Sequence, residues 1–354
     1  MTTYRQAGVD QNMGDLCSAI AYRAAKKTFP PRKGMIGSPL PMDGGFTGAL
    51  DMGPFLLVQN EDGVGTKIEV AQRMCDFSTL GADLVAMVAD DAVCAGAETI
   101  SITNTIDTSD LRTDIIEELM EGLARVCREQ RIVIPGGEIA MLKGHVLGYT
   151  WNATAVGIVE KEKFIRGENI RPGDPVIGIA SPNFRSNGFT LLRAILKKEY
   201  GEKWHEKKFR GLPWGAVALE PSVVYHASML ALLGRYKKPR AVQVNGIAHI
   251  TGGGIPGNAP RMFGRQKLGL FFDRLPPVPE AMLELQRLGG VEDREAYETW
   301  NMGVGMMFAV GAADVKKALA ILKREGLKAD IVGEVTKKPG VVLKTGAKKE
   351  VAFE

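Results

Sequence analysis

Residues 54–67 read Pro-Phe-Leu-Leu-Val-Gln-Asn-Glu-Asp-Gly-Val-Gly-Thr-Lys, an apolar run that leads into a glycine-rich turn. The apolar run predicts a buried strand that delivers the turn to a cleft. In the turn, Asp62 offers oxygen ligands for a hard cation and Lys67 offers a point charge for phosphate. Gly63 and Gly65 let the backbone approach a ligand closely. The stretch predicts a metal and phosphate site, although Asp-Gly followed by Val-Gly also suits an ordinary surface hairpin.

The length of the chain, 354 residues, exceeds that of one ordinary core and predicts two domains. Strand-like and helix-like segments alternate throughout, which predicts an α/β or mixed α+β fold. The polar turn Arg166-Gly-Glu-Asn-Ile-Arg-Pro-Gly-Asp174 interrupts this alternation. We place the domain boundary there, with residues 1–168 in the first domain and residues 169–354 in the second.

Composition argues against several classes of function. The net charge of +4 comes from 45 basic and 41 acidic residues mixed along the chain, so it predicts neither nucleic-acid nor membrane binding. No apolar run approaches the roughly 18 residues of a membrane span, and the N-terminus lacks a signal-like segment. The four cysteines are scattered without metal-ligand spacing. We therefore expect a cytoplasmic protein.

The periodicity of apolar residues predicts individual elements in both halves. In the first half we predict helices at 14–27, 82–96 and 112–130, and strands at 98–105, 131–135 and 147–160. In the second half we predict strands at 175–180 and 304–311, and helices at 188–200, 221–235 and 312–325. The proline- and glycine-rich residues 29–53 predict a lid.

Helix 82–96 carries a second chemical signal. Asp91 shares a face with Leu84, Met87 and Val88, and that face should be buried. A buried carboxylate needs a metal, a lysine or a ring of donors, so either a metal site or a structural ion pair is expected. Asp90 either shares this role or faces solvent.

A third acid follows a predicted strand in Pro135-Gly-Gly-Glu138. Asp62, Asp91 and Glu138 are therefore predicted to converge on one sheet edge as an oxygen-rich site suited to magnesium and nucleotide phosphates.

A second glycine-rich segment is Thr251-Gly-Gly-Gly-Ile-Pro-Gly-Asn258. It satisfies the G-x-G-x-x-G pattern of dinucleotide sites, but Pro256 and its late position in the chain argue against that reading. A glycine-rich loop that opens a helix can still bind a single phosphate. His249, just before the loop, is either a catalytic or substrate contact or a structural histidine. No Gly-Lys dipeptide occurs, which excludes a Walker A loop.

Eight segments, in order along nearly the whole chain, resemble one known family, phosphoribosylformylglycinamidine cyclo-ligase or aminoimidazole ribonucleotide synthetase. The segments are Tyr4-Arg-Gln-Ala-Gly-Val-Asp10, Gly44-Gly-Phe-Thr-Gly48, Asp62-Gly-Val-Gly-Thr-Lys67, Gly81-Ala-Asp-Leu-Val-Ala-Met87, Gly136-Gly-Glu138, Ser186-Asn-Gly188, Ile247-Ala-His-Ile-Thr-Gly-Gly-Gly254 and Asn301-Met-Gly-Val-Gly-Met306.

The resemblance implies a two-domain α/β (α+β) fold. The N-terminal domain would bind ATP and carry a mixed sheet that joins a homodimeric barrel, and the C-terminal α/β domain would bind the ribonucleotide substrate. The implied reaction belongs to purine biosynthesis and uses ATP with Mg²⁺, with a need for K⁺ left open. ATP would phosphorylate the amide oxygen of formylglycinamidine ribonucleotide, a nearby nitrogen would attack the activated carbon, and phosphate would leave.

The resemblance also implies roles for particular residues. The implied catalytic residues are Lys67, which would neutralise the transferring phosphate, and Asp62, Asp91 and His249; the implied metal ligands are Asp62, Asp91 and Glu138. The implied nucleotide contacts are Gly44, Gly45, Phe46, Gly48, Gly63, Gly65, Thr66, Lys67, Asp90, Gly136 and Gly137, with the loop from Gly44 to Gly48 closing over the nucleotide. The implied substrate contacts are Arg185, Ser186, Asn187, Gly188, Thr251, Gly252, Gly253 and Gly254.

Four positions depart from the family pattern. Asp90 stands where the family has asparagine, and Asn104 where it has aspartate. Met141 replaces a carboxylate, and Arg185 replaces a histidine that precedes Ser-Asn-Gly; an arginine there can grip a phosphate or carboxylate but cannot act as a base. These changes leave the acceptor open, so a small-molecule kinase or dikinase of the same superfamily and a non-catalytic nucleotide-binding protein remain alternatives.

Overall fold

The computed structural model describes residues 3–41, 44–345 and 349–353, without the side chain of Asn12. Residues 42 and 43 of the predicted lid lie outside this description. None of the helices in the described ranges has the length and apolar character that crossing a bilayer requires. In these ranges the chain builds two large sheets, one from strands before residue 160 and one from strands after residue 174.

The first sheet is mixed and has six strands in the described part of the chain, in the order β1-β2-β3-β6-β4-β5. The strands are β1 (Ser38–Leu40), β2 (Gly48–Asp51), β3 (Leu56–Gly63), β4 (Glu98–Thr108), β5 (Gly137–Met141) and β6 (Tyr149–Val159). Among the described strands of this sheet, only β4 and β5 pair in parallel, and β5 lies at the edge. The alternating burial of β6 shows that one face of this sheet covers the core.

Four helices accompany this sheet: α1 (Gln11–Lys26), α2 (Lys67–Met74), α3 (Leu80–Cys94) and α4 (Thr113–Gln130). Helix α3 is the central element, because nearly all of its side chains are buried. It packs against the sheet on one side, against α4 on another, and against elements of the second half on the rest of its surface. A helix enclosed on every side carries apolar residues all round, and any carboxylate on it needs an internal partner.

The second sheet has seven strands among the described residues, and its order is β10-β12-β7-β13-β11-β14-β15. Its strands are β7 (Pro175–Ala180), β10 (Val244–His249), β11 (Gly269–Phe272), β12 (Val304–Val310), β13 (Ala329–Thr336), β14 (Gly340–Lys344) and β15 (Glu350–Phe353); β8 (Lys208–Phe209) and β9 (Leu212–Pro213) form a separate hairpin. The fully buried β12 lies between β10 and β7.

Seven α-helices follow in the described second half: α5 (Phe189–Tyr200), α6 (Trp214–Leu219), α7 (His226–Leu233), α8 (Gly254–Asn258), α9 (Glu280–Gly289), α10 (Asp293–Thr299) and α11 (Val315–Arg324). Short 3₁₀ turns lie at Pro30–Arg32, Lys161–Lys163, Trp204–Glu206, Ala259–Phe263 and Ala312–Asp314.

The structure corrects the predicted elements at three places. The glycine turn after residue 60 is shorter than predicted, because β3 continues to Gly63 and α2 starts at Lys67. The strand predicted at 131–135 is absent apart from a single bridge at Val133, and Gly137 begins β5 instead of following a strand. The helix predicted at 221–235 starts only at His226. In the last case Pro221 and its neighbours turn their backbone toward buried side chains of the first half.

Candidate active site

Two aspartates from different elements form the acidic centre of the site. Asp62 lies on β3, where its Oδ1 accepts a hydrogen bond from the Gly63 N–H at 2.7 Å, and Asp91 lies on α3. Burial raises the pKa of each carboxyl group to about 7, and the negative charge of Asp91 contributes to the shift at Asp62. Because burial disfavours the charged form of both carboxyl groups, a nearby cation would stabilise that form. Two hard oxygen donors in this arrangement suit Mg²⁺.

A hydrogen-bond chain behind Asp91 defines the state of His249. The Nη2 atom of Arg185 lies 2.7 Å from His249 Nε2, and His249 Nδ1 lies 2.8 Å from Asp91 Oδ1. Because a guanidinium has donors only, Nε2 must accept and the ring proton must sit on Nδ1. His249 therefore donates to Asp91 and holds its carboxylate in place. Burial and the Arg185 charge lower the pKa of His249 to about 3, so the ring is neutral.

Arg185 and Asp90 occupy the fully buried end of this chain. Arg185 Nη2 donates to Asp90 Oδ2 at 2.9 Å, Nη1 donates to the Val223 carbonyl at 2.9 Å, and both side chains are inaccessible. The Tyr225 N–H donates to Asp90 Oδ1 at 2.8 Å. Of the two alternatives for Asp90, exposure to solvent is therefore wrong. The implied nucleotide contact of Asp90 and the implied substrate contact of Arg185 are also wrong here, because the two side chains are buried against each other. Arg185 does grip a carboxylate, but that carboxylate belongs to the protein.

Lys67 is also buried, contrary to the expectation that its charge faces a ligand. Its Nζ lies 2.9 Å from Asp83 and donates to the Glu220 carbonyl at 2.7 Å. Asp83 in turn accepts from the Ser222 N–H at 3.1 Å. This ion pair joins α2 and α3 to the segment between α6 and α7 in the second half, and removing one partner of such a buried pair typically costs about 3–5 kcal/mol. The geometry makes Lys67 a structural link.

The predicted nucleotide loop surrounds open space. Gly44, Gly45, Phe46 and Gly48 line a cavity of 460 Å³ next to β3. On its other side, Gly44 and Gly45 share a cavity of 1010 Å³ with Gly252 and Gly253. The Gly44–Gly48 loop and the Gly252–Gly254 segment, far apart in sequence, therefore face one cleft.

Arg261 is a site residue that sequence reasoning missed. Its Nε donates to the Gly44 carbonyl at 3.2 Å and its Nη2 to the Gly45 carbonyl at 2.7 Å. Its guanidinium lies over the Phe46 ring, 3.6 Å from the centroid. The signal that points to it is its place in Asn258-Ala-Pro-Arg261, seven residues after the last glycine of the Gly252–Gly254 run.

The predicted substrate residues lie close together. A Cβ placed on Gly252 would sit 3.3 Å from Asn187 Oδ1, and one on Gly65 would sit 3.6 Å from the Ser186 carbonyl oxygen. Asn187 Nδ2 also contacts Met87 Sδ at 3.7 Å. The Ser186–Gly188 turn thus lies between the glycine-rich turn at 63–65 and the Gly252–Gly254 segment. Gly188 and Gly253 adopt the left-handed conformation that starts α5 and α8, Gly254 opens α8, and Thr251 and Thr66 flank these turns.

Glu138 does not join Asp62 and Asp91 within one chain. Asp62 pairs with Ala153 on β6, Ala153 with Asn104 on β4, and Asn104 with Gly137 on β5. Three strand spacings separate Glu138 from Asp62 by roughly 14 Å. Accordingly, the described residues contain no group of three acidic, histidine or cysteine side chains placed to hold a metal ion. The predicted three-acid convergence is wrong for a single chain, and Gly136 and Gly137 lie with Glu138 on the exposed edge.

Comparison with known families defines the class of protein. The model of the AIR synthase related protein N-terminal domain matches residues 48–159, and that of the C-terminal domain matches residues 171–346. The chain is an AIR synthase related protein in both of its halves. The chain is 38% identical to the phosphoribosylformylglycinamidine cyclo-ligase of Pyrococcus furiosus, over 97% of this chain and 98% of that protein. The cyclo-ligase of Thermococcus kodakarensis is 36% identical, over 96% and 97% of the two chains. The chain belongs to the phosphoribosylformylglycinamidine cyclo-ligase family, which confirms the resemblance found in the sequence.

Solved structures share the fold at much lower identity. HypE in the HypE–HypF complex superposes with a TM-score of 0.63 at 18% identity, covering 88% of this chain and 93% of that chain. Thermotoga maritima PurL complexed with FGAR gives a TM-score of 0.61 at 16% identity, covering 88% of this chain and 48% of PurL. At these identities the likeness concerns the fold alone.

Proposed function

We propose that this chain catalyses the ATP-dependent closure of formylglycinamidine ribonucleotide to aminoimidazole ribonucleotide in de novo purine biosynthesis. The observation that carries the proposal is the identity of 38% with a cyclo-ligase over 98% of that relative's length. The site supports it, because phosphoryl transfer and an intramolecular ring closure need charge neutralisation and alignment more than a protein nucleophile.

The proposed reaction has two steps. The amide oxygen of the substrate attacks the γ-phosphorus of ATP, and ADP leaves. The nearby nitrogen then attacks the activated carbon, and the phosphate departs with the oxygen while the ring loses a proton. His249 is not the base for this proton, because its Nε2 already accepts from Arg185 and its ring stays neutral. The role of His249 is to orient Asp91.

Mg²⁺ fits the donor set of the acidic centre. Asp62 and Asp91 would hold it, and it would supply neutralisation of phosphate charge. The buried carboxylates favour a cation between them, since the pKa of each is raised to about 7. We assign no metal contact to Glu138 and no site to K⁺. The glycine-rich segments at 44–48 and 252–254 would place their backbone N–H groups along the phosphates.

We further propose that the protein is a homodimer formed through the edge of its first sheet. Strand β5 presents Ile139 and Met141, which are 46% and 59% exposed, and Val133 beside it is 62% exposed. An exposed apolar edge strand can pair with another strand, and the same edge of a second copy would supply that strand.

The cysteines of the described chain are all free, which suits the reducing cytoplasm.

The test is a coupled assay on the purified protein. ADP release is measured with ATP, Mg²⁺ and formylglycinamidine ribonucleotide, and the aminoimidazole product is measured in parallel. We expect equal amounts of ADP and imidazole, and a loss of both in Asp62→Asn. Asp273→Asn, a change of the same charge at a side chain 39% exposed outside the site, serves as the matched control.

The alternatives give different results in the same assay. ADP release with a different phosphoryl acceptor, and no imidazole, would indicate a kinase of the same superfamily. Nucleotide binding without ADP release under any condition would indicate a non-catalytic protein. Either outcome would overturn the cyclo-ligase assignment.

A further inference from the structure

Arg261 is a half-buried cation at the cleft between the Gly44–Gly48 loop and the Gly252–Gly254 segment. We propose that Arg261 binds a phosphate group of one of the two phosphorylated substrates. The inference rests on the proposed function, because it names the residue that meets the phosphates in that reaction.

The position of Arg261 relative to the cleft is the first argument. It lies in the 3₁₀ turn Ala259–Phe263, directly after α8, and lines the cavity of 1010 Å³ together with Gly44, Gly45 and Gly252. Its charge acts on both Asp62 and Asp91, so it lies near the acidic centre. An arginine at the junction of two backbone loops and two carboxylates is well placed to meet a phosphate held by a metal ion.

The bonds that Arg261 makes supply the second argument. Its Nε and Nη2 form one edge of the guanidinium, and this edge donates to two neutral carbonyl oxygens, those of Gly44 and Gly45. The same edge matches two oxygens of a phosphate in a bidentate contact, and the attraction between opposite charges adds to these bonds, which a neutral carbonyl does not offer. A phosphate can therefore displace the two carbonyls. The exchange would also release the Gly44–Phe46 loop to move with the bound ligand.

The commitments of other cations supply the third argument. Lys67 and Arg185 are both inaccessible, and each pairs with a buried aspartate, so neither can reach a ligand without breaking an internal ion pair. Arg5 and Arg294 also line the cavity, but they are more exposed and pair with Asp10 and Glu298. Arg261 instead donates its hydrogen bonds to two carbonyls and to Asn258 Oδ1 at 3.2 Å, all of them neutral acceptors.

The experiment compares Arg261→Gln and Arg261→Lys with Arg324→Gln in the full chain. The Arg324 side chain is 71% exposed at the end of α11, so Arg324→Gln removes the same charge away from the cleft. We measure kcat/KM for each substrate. We also measure the affinity for a non-hydrolysable ATP analogue alone and for formylglycinamidine ribonucleotide alone. These two binding arms distinguish a nucleotide phosphate from the phosphate of the ribonucleotide.

For Arg261→Gln we expect kcat/KM to fall by about 10²–10³-fold and one of the two ligands to bind at least about tenfold more weakly. Arg261→Lys should lie between Arg261→Gln and wild type, because lysine keeps the charge and loses the two-pronged contact. Arg324→Gln should match wild type. If Arg261→Gln does not fold, Arg261→Lys carries the test.

If the Arg261 variants keep the wild-type kcat/KM and bind both ligands as tightly as wild type, the inference is overturned. In that case imidazole formation by the wild-type protein would still support the proposed function. Absence of imidazole from the wild-type protein would instead remove the proposed function, whatever the Arg261 variants do.

Discussion

At the scale of single residues, burial sets the chemistry of the acidic centre. The pKa of Asp62 and of Asp91 is about 7 in the folded chain, and an aspartate in an unfolded chain has a pKa of about 4. Between these values the folded state binds more protons than the unfolded state. The stability contributed by the two protonated groups is therefore present at about pH 4 and is lost as the pH rises through 7.

This difference predicts the pH dependence of folding in the absence of metal. In EDTA, the free energy of unfolding should decrease between about pH 5 and pH 8, and Asp91→Asn should reduce that decrease by at least about 1 kcal/mol. Denaturant unfolding across this range measures it, with Asp273→Asn as control. A slope in Asp91→Asn equal to that of wild type would contradict the prediction. Added Mg²⁺ should restore wild-type stability at pH 8.

The tautomer of His249 leads to a second prediction, which a comparison of His249→Asn with His249→Gln can test. In His249→Asn the amide nitrogen lies near the position of Nδ1 and can still donate to Asp91. In His249→Gln the amide lies near Nε2 instead, so Asp91 loses its donor. We expect the Mg²⁺ concentration for half-maximal activity to rise about 10-fold or more for glutamine and much less for asparagine. Equal effects of the two substitutions would show that the orientation of Asp91 does not depend on this donor.

At the scale of elements, the contact between α3 and α4 depends on two glycines. A Cβ on Gly81 would lie 2.3 Å from the Gly122 carbonyl carbon and 2.3 Å from the Leu123 nitrogen, which are backbone atoms of α4. The close approach of α4 therefore excludes any side chain at position 81. This contact holds α3, and with it Asp90 and Asp91, against the first sheet.

Gly81→Ala should lower the free energy of unfolding by about 1–3 kcal/mol, because α4 must move away. Gly14→Ala is the matched control: Gly14 is exposed in α1 and a Cβ there meets nothing within 4 Å. It should raise helix stability by about 0.5–1 kcal/mol, the usual gain from glycine to alanine. Denaturant unfolding measures both, and a neutral Gly81→Ala would show that the two helices tolerate separation.

At the scale of the whole molecule, the exposed edge of the first sheet predicts the oligomeric state. Ile139→Lys places a charge on β5 and should convert the dimer to a monomer, because burying an unpaired charge at an interface is costly. Light scattering after size-exclusion chromatography measures the mass. Leu283→Lys, at a side chain 48% exposed on α9, is the control. A wild-type monomer, or a dimer that survives Ile139→Lys, would rule out this edge as the interface.

The spacing of apolar residues predicted much of the fold, because in each element it marks the face that is buried. Helix α4 and strands β6 and β7 lie within two residues of their predicted ends, since their apolar positions repeat at the helical or strand period. The prediction of a strand at 131–135 is wrong because a run of three apolar residues, 132–134, is too short to distinguish a strand from an irregular segment. The delayed start of α7 follows from long-range contacts of the segment before it, which no local pattern reports.

The amino-acid sequence by itself determined the two-part α/β organisation, the glycine-rich segments and the acids Asp62 and Asp91, because these depend on residue type and local spacing. Tertiary structure alone decided which charges face the cleft. Lys67 and Arg185 look like ligands in sequence but are buried in ion pairs with Asp83 and Asp90, 16 and 95 residues away. Arg261, unremarked in the sequence, reaches the Gly44–Phe46 loop 216 residues earlier. The direction of a side chain depends on partners that only folding brings near, and a buried cation needs such a partner.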